Sequence, residues 1–274
     1  MKWVHRIFDF YLDASVHVAL AVFALVQCTV LTLDINPNDH LNYFLFLGTI
    51  ICYNFVKYGV EAEKYIRLAN RYHKNIQLFS LVCLLFSFYH ASFLPLRVWV
   101  GIGLLVLLTG LYAVPVLPNA KNIRSWGGIK IFIVALVWAG ATVLLPVITL
   151  NLKVTWDVGM ETLQRFIFVL VLLIPFEIRD LSYDKAELRT VPQRYGIRKT
   201  KLLGGIASIL FFLVTFLKDE ISNVEIGTKG MLMVILITVL FYTRSKPPKY
   251  FASFWVESIP ILWWVILLVL KPML

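Results

Sequence analysis

The sequence predicts an all-α integral membrane protein that forms a single transmembrane domain over residues 1–274. Three observations indicate this fold class. Hydrophobic residues make up 59% of the chain, charged residues make up 15%, and the mean hydropathy is +0.79. Soluble domains are typically about 45–50% apolar and about 25% charged. The composition therefore excludes an ordinary soluble globule, a disordered tail and a disulfide-rich secreted module.

Long apolar runs recur along the chain, and about 20 apolar residues suffice for a helix to cross a bilayer. We predict nine transmembrane spans, of which the sixth, seventh and eighth are short. The spans are Ala14–Leu33, Leu41–Tyr58, Ile76–Phe93, Val98–Val116, Ile129–Leu150, Leu163–Ile178, Leu202–Leu217, Met231–Tyr242 and Phe251–Leu270. Turn sequences such as Asn36-Pro37-Asn38-Asp39 separate neighbouring spans.

The distribution of basic residues predicts the orientation of these spans. Of the 26 Lys and Arg residues, 20 fall in the N-terminal segment and in alternate loops, and six fall on the other side. Basic loops stay in the cytoplasm, so the N-terminus is expected inside and the C-terminus outside. In a bacterial cell this would be the inner membrane. The net charge of +10 is thus interpreted as topology, and nucleic acid is not an expected partner.

Two ionisable residues lie inside apolar runs, where such groups are costly and by default suggest function. His17 in the first span is either a functional group or a neutral histidine bonded to a neighbouring helix. Glu257 in the ninth span either reaches toward Lys249 or lines an internal tunnel. A transporter would need such groups near the midplane together with inverted repeats, and the sequence shows no convincing repeat.

The cytoplasmic loop after the sixth span carries a polar group of residues. Asp180 and Asp184 are four residues apart, so on a helix both carboxylates would face the same way. Carboxylate oxygens are suitable ligands for Mg²⁺, and the nearby cations Lys185 and Arg189 could contact phosphates that the metal bridges. The alternative is a solvated interfacial helix whose charges anchor it against lipid headgroups.

One segment resembles the second aspartate-rich motif of the UbiA superfamily of intramembrane prenyltransferases: Arg179-Asp180-Leu181-Ser182-Tyr183-Asp184-Lys185, then Arg189-Thr190-Val191-Pro192 and Tyr195-Gly196. The family form is RDxxxD, then GxxTLP, then a closing glycine. The resemblance extends along the whole chain, through the nine spans, a loop after the fourth span with Tyr112 and Lys121, and a glycine-containing fifth span.

The resemblance implies a UbiA-like bundle of nine helices with a polar cap facing the cytoplasm. It implies transfer of an isoprenyl chain from its diphosphate to a lipophilic acceptor in the membrane, with Mg²⁺ as cofactor. Asp180 and Asp184 would be catalytic metal ligands. The expected substrate-binding residues are Lys57, Lys121, Arg179, Lys185, Arg189, Tyr53, Tyr112 and Tyr183.

The family's first motif, NDxxDxxxD at the end of the second helix, is degenerate here. Asn54 takes its first position, but Phe55, Tyr58 and Ala62 stand where aspartates are expected. Glu61 lies seven residues after Asn54 and could return to the same helix face. We therefore interpret Asn54 and Glu61 as catalytic residues and Glu61 as a further metal ligand. The alternative is a non-catalytic relative that binds isoprenoids or lipids.

Overall fold

The computed structural model describes residues 2–60, 71–113, 128–184 and 188–271. Within these ranges the chain forms eleven α-helices, some of them continued by short π- or 3₁₀-helical segments. The helices are α1 Lys2–Asp13, α2 Val16–Thr32, α3 Asp39–Asn54, α4 Arg71–Ala91, α5 Leu96–Ala113, α6 Ile129–Ala139, α7 Leu145–Thr149, α8 Trp156–Asp180, α9 Val191–Leu213, α10 Asn223–Tyr242 and α11 Ile259–Leu270.

Several of these helices can cross a bilayer. In the described part of the chain, five helical segments are long and apolar enough, and the pair α1 and α2, bent by 56°, would make a sixth. The five segments are Ile129–Thr149, Trp156–Asp180, Val191–Leu217, Asn223–Tyr242 and Phe251–Leu270. The all-helical membrane class is therefore confirmed, whereas the number of nine spans stays a prediction.

Three helices begin earlier than predicted because their polar first turns are helical. The predicted spans that start at Leu163, Leu202 and Met231 lie inside longer helices, which begin at Trp156, Val191 and Asn223. Thr155 and Ser222 cap the first turns of α8 and α10 through their side chains. The Thr190 backbone N–H donates to Gln193 Oε1 at 2.9 Å where α9 begins, and Gly196, with a φ of 76°, interrupts the helix after its first turn. The basic residues that follow belong to the helix and not to a loop.

The core forms around α2 and α8. Helix α2 packs against α3 and α11, and α8 packs against α6 and α9. Small side chains let α2 approach its neighbours closely, since Ala19, Ala21 and Ala24 are fully buried. The C-terminal ends of α3, α8 and α10 and the start of α6 lie at the end of the bundle that we call the motif end, because it carries Asp180.

Toward the opposite end, charged side chains meet inside the bundle. We call Glu161, Arg165, Lys218, Glu225 and Lys229 the buried ion cluster; each is less than a tenth exposed. Glu161 accepts hydrogen bonds from Arg165 at 3.2 Å, from Lys218 at 3.0 Å and from Lys229 at 2.9 Å. Both lysines also donate to Glu225. Arg165, Lys218 and Lys229, which count among the six basic residues of this side, are therefore buried inside the bundle.

The cluster is extended by contacts to other helices. Arg165 donates to the Leu25 carbonyl oxygen at 2.6 Å and to Thr29 at 3.2 Å, and its guanidinium lies 4.8 Å from the Trp263 ring centroid. Lys229 also donates to Gln164. Burial of charge is costly unless the charges are paired and hydrogen-bonded, and here α2, α8, α10 and α11 supply the partners. The cluster therefore ties these helices together.

Candidate active site

A cavity of about 500 Å³ lies at the motif end, between α1, α3, α6, α8 and the segment before α11. Its walls combine charged residues with an apolar interior. The charged residues are Asp9, Asp13, Lys57, Lys130, Glu177, Arg179, Asp180, Lys249 and Glu257. The apolar walls include Val18, Ile131, Val134, Val137, Trp138, Val169, Leu172 and Phe176. The cavity thus suits a ligand with one ionic end and one apolar end.

Arg179 and Asp180 lie at the last turn of α8 and line this cavity. The Arg179 side chain donates from Nε to Asp180 Oδ1 at 2.7 Å and from Nη2 to Oδ2 at 2.9 Å. The Arg179 guanidinium also lies 5.1 Å from the Phe176 ring centroid. Because both side chains are about one-third exposed, this paired group remains accessible from the cavity.

The rest of the second motif is placed differently. Residues 181–184 form a turn after α8, in which the Asp184 backbone N–H donates to the Asp180 carbonyl oxygen at 2.9 Å. Asp184 is not among the residues that line the cavity. Tyr183 is 85% exposed, and Arg189 is exposed with a φ of 42°. The structure therefore brings Arg179 and Asp180 to the cavity, but not Tyr183, Asp184 or Arg189.

Asn54 is buried and joins three helices. Its Oδ1 accepts from Ser15 Oγ at 2.7 Å, and its Nδ2 donates to the Ala14 carbonyl oxygen at 3.1 Å and to Ser80 Oγ at 2.9 Å. Asn54 does not line the cavity, whereas Ser15 does. The observed contacts of Asn54 thus connect α3 to α4 and to the start of α2.

Asp13 lies beside Tyr58, which occupies the second aspartate position of the first motif. The Tyr58 hydroxyl donates to the Asp13 carbonyl oxygen at 3.0 Å, and the Tyr72 hydroxyl donates to Asp13 Oδ2 at 2.9 Å. Lys57 Nζ lies 3.5 Å from Asp13 Oδ1, and both side chains are nearly half exposed. A carboxylate from α1 therefore lies against this wall of the cavity, next to a cation.

A second carboxylate of α1 forms a similar pair. Lys249 Nζ donates to Asp9 Oδ1 at 2.8 Å, and the Tyr250 hydroxyl donates to the same oxygen at 2.8 Å. The Asp9 carboxylate, followed by the Tyr250 hydroxyl, holds the pKa of Lys249 above its ordinary value. Lys249 thus remains a cation at the cavity at neutral pH.

The apolar part of the cavity contains one polar contact. Trp138 Nε1 donates to the Tyr53 hydroxyl at 2.9 Å, and the two rings are 6.4 Å apart and nearly perpendicular. Among the other predicted residues, Tyr112 lies near the end of α5. Glu61, Lys121 and Lys185 lie outside the described residues.

Comparisons with known proteins find matches by structure and none by sequence family. The sequence matches no protein-family model, and no curated protein matches it. A UbiA homologue from Archaeoglobus fulgidus bound to DMAPP and Mg²⁺ matches the structure with a TM-score of 0.63 at 14% identity, over 96% of this chain and 99% of that chain. The chain has the UbiA fold.

Two further structures with the UbiA fold match over most of their lengths. One is reported for a digeranylgeranylglyceryl phosphate synthase, with a TM-score of 0.56 at 14% identity over 94% of this chain and 95% of that chain. The other is an A. fulgidus UbiA homologue bound to GPP and Mg²⁺, with a TM-score of 0.55 at 11% identity over 94% and 98%. The resemblance inferred from the Asp180 segment is therefore confirmed at the level of the fold.

The UbiA fold raises the question of whether these residues fit Mg²⁺. Among the side chains that the structure describes, no three His, Cys, Asp or Glu residues come together as a metal site. Mg²⁺, however, is commonly held by one or two carboxylates together with substrate phosphates. Asp180 lines this cavity of about 500 Å³ together with the cations Lys57, Lys130 and Lys249. The residues therefore fit a Mg²⁺ ion that binds together with a diphosphate, and not a metal bound by protein ligands alone.

Proposed function

We propose that this protein is a UbiA-like prenyltransferase that moves an isoprenyl chain from its diphosphate to a lipophilic acceptor in the membrane. One observation carries this proposal: in a UbiA fold, a single cavity joins an ionic mouth containing Arg179 and Asp180 to an apolar interior. An isoprenyl diphosphate has the same division into an ionic and an apolar part. The UbiA homologues bound to DMAPP and GPP support this substrate class.

The cations at the mouth would bind the diphosphate. Arg179 can offer planar, bidentate hydrogen bonds to phosphate oxygens, while Lys57, Lys130 and Lys249 supply compact positive charge. Mg²⁺ bound with the substrate would neutralise charge on the departing diphosphate. We propose Asp180 as its ligand at the cavity, whereas Asp184, in the turn after α8, and Glu61 stay predicted further ligands.

The interior would protect the reacting carbon. When the allylic C–O bond breaks, its electron pair leaves with the diphosphate and an allylic cation remains. Tyr53, Trp138 and Phe176 line the cavity, and an aromatic face that meets the cation would stabilise it by about 0.5–2 kcal/mol. The acceptor then forms a bond to this carbon and loses a proton. Apolar walls keep water from competing with the acceptor.

A specific observation favours a second candidate, a non-catalytic relative that binds isoprenoids or lipids. Phe55 and Tyr58 occupy aspartate positions of the first motif, and neither side chain carries a carboxylate. Phe55 is half exposed, and the Tyr58 hydroxyl donates to the Asp13 carbonyl oxygen. Asn54 is engaged by neighbouring helices. Such a protein would bind the diphosphate without turnover.

Turnover separates the two candidates. Purified protein in lipid nanodiscs, given radiolabelled geranyl diphosphate, Mg²⁺ and a membrane-lipid extract, is expected to release diphosphate and to move label into a lipophilic product. Glu61→Gln should reduce that rate by at least about tenfold if Glu61 replaces the lost aspartates. Saturable binding without product favours the non-catalytic relative, and absence of binding contradicts the prenyltransferase.

We also propose that the motif end faces the cytoplasm, with the N-terminus inside and the C-terminus outside. The uneven distribution of basic residues supports this orientation. In a variant without native cysteines, Ser245→Cys should react with a membrane-impermeant thiol reagent only after the cytoplasmic side is opened. Asn151→Cys, at the opposite end, should react on intact cells. The reverse pattern would contradict the orientation.

A further inference from the structure

Along helix α6 the lining of the cavity stops at Trp138. Helix α6 lines the cavity over the eight residues from Lys130 at the ionic mouth to Trp138, about 12 Å, and α8 lines it over the eleven residues from Asp180 to Val169, about 16 Å. The residues of α6 and its π-helical continuation beyond Trp138 do not line the cavity. Trp138 is only 6% exposed. The indole therefore lies where an apolar tail entering from the mouth would end.

Trp138 is held in this position by hydrogen bonding. Its Nε1 donates to the Tyr53 hydroxyl at 2.9 Å, which connects α6 to α3 at the deep end of the cavity. This bond satisfies the indole N–H as a donor and gives the Tyr53 hydroxyl oxygen a donor to accept from. Rotation of the indole out of the cavity would leave its N–H without this partner, so the pair resists displacement by an apolar tail.

The space behind Trp138 is polar. Thr142, one turn further along, donates to the Trp138 carbonyl oxygen at 2.8 Å and accepts from Arg165 at 3.4 Å. Arg165 belongs to the buried ion cluster and is fully buried. An apolar tail that extended past Trp138 would separate these groups from their partners, which is costly in a buried site.

We propose that the Tyr53–Trp138 pair limits the length of the isoprenoid chain that this protein accepts. The inference rests on the proposed function and adds the substrate class to it. A geranyl tail of two isoprene units fits the depth between the ionic mouth and Trp138, whereas a geranylgeranyl tail of four units exceeds it. Tyr53 and Trp138 are therefore specificity-determining residues, and the protein uses short-chain isoprenyl diphosphates.

The test is competition binding on the purified protein with DMAPP and with geranyl and geranylgeranyl diphosphates in Mg²⁺. Wild type should bind geranyl diphosphate at least about tenfold more tightly than geranylgeranyl diphosphate. Trp138→Leu should reduce this preference to less than about threefold, because it should raise the affinity for geranylgeranyl diphosphate. Trp264→Leu removes a partly buried tryptophan that does not line the cavity, and should leave the preference unchanged.

A second variant covers the case in which Trp138→Leu does not fold. Val137→Phe adds side-chain volume at the deep end of the cavity. It should weaken the binding of geranyl diphosphate by at least about fivefold and leave the binding of DMAPP unchanged. If wild type and variants bind all lengths equally well, the chain-length inference is wrong and the proposed function stands. If wild type binds none of these diphosphates, the proposed function fails, and this inference fails with it.

Discussion

Glu161→Gln is expected to lower the free energy of unfolding by about 3–5 kcal/mol, because it removes the carboxylate that three buried cations share. Arg165, Lys218 and Lys229 all donate to Glu161, and each is less than a tenth exposed. Glutamine has nearly the same shape but no charge, so Lys218 and Lys229 would share Glu225 alone and Arg165 would lose its carboxylate partner. The measurement is thermal and denaturant unfolding of the purified protein, followed by tryptophan fluorescence.

Controls distinguish charge pairing from a general effect of losing an acid. Glu220→Gln changes an exposed glutamate in the same region and should alter stability by less than about 0.5 kcal/mol. Adding Lys229→Met to Glu161→Gln should recover part of the loss, since one unpaired cation is then removed. Near-wild-type stability of Glu161→Gln would show that the buried ion cluster does not stabilise the fold.

The fold class follows from composition, but this cluster does not. A hydropathy pattern counts Arg165 and Lys229 only as charges and does not show which groups pair with them. Their burial depends on Glu161 and Glu225, which other turns and helices bring next to them. Pairing of this kind is a property of the folded bundle and could not be predicted from the sequence.

The site was also predictable only in part. Four residues selected from motifs, Tyr53, Lys57, Arg179 and Asp180, line one cavity, and their roles stay predictions. Asp9 and Asp13 were missed because they belong to no motif and reach the cavity through the bend between α1 and α2. The amphipathic character of the N-terminal segment was the available signal. An amphipathic pattern is typical of an interfacial helix, but it does not indicate which face of the helix meets the cavity.

Asp180→Asn is expected to weaken Mg²⁺-dependent binding of geranyl diphosphate by at least about thirtyfold, equivalent to about 2 kcal/mol. Asp180 is the motif carboxylate that lines the cavity, and asparagine keeps its shape while removing the charge that a metal requires. Adding Asp184→Asn should abolish the Mg²⁺-dependent part of the binding. In chelator, Asp180→Asn should bind at least as tightly as wild type, because a negative charge has left an anion site.

Asp34→Asn is the matched control. Asp34 is an exposed aspartate paired with Lys271 at 2.8 Å, near the C-terminal ends of α2 and α11 and away from the cavity. Its replacement should leave diphosphate binding unchanged. An equal loss for Asp180→Asn with and without Mg²⁺ would instead mean that Asp180 acts by holding Arg179 in place.

The central claim is that the cavity binds an isoprenyl diphosphate with Mg²⁺ through Asp180, and calorimetry of geranyl diphosphate binding tests it most directly. Four titrations are needed, of wild type and Asp180→Asn, each with Mg²⁺ and with chelator. The account predicts that Mg²⁺ strengthens binding to wild type and that Asp180→Asn loses this gain. Binding that is the same in all four titrations would contradict it and would make the Asp180 segment an interfacial anchor.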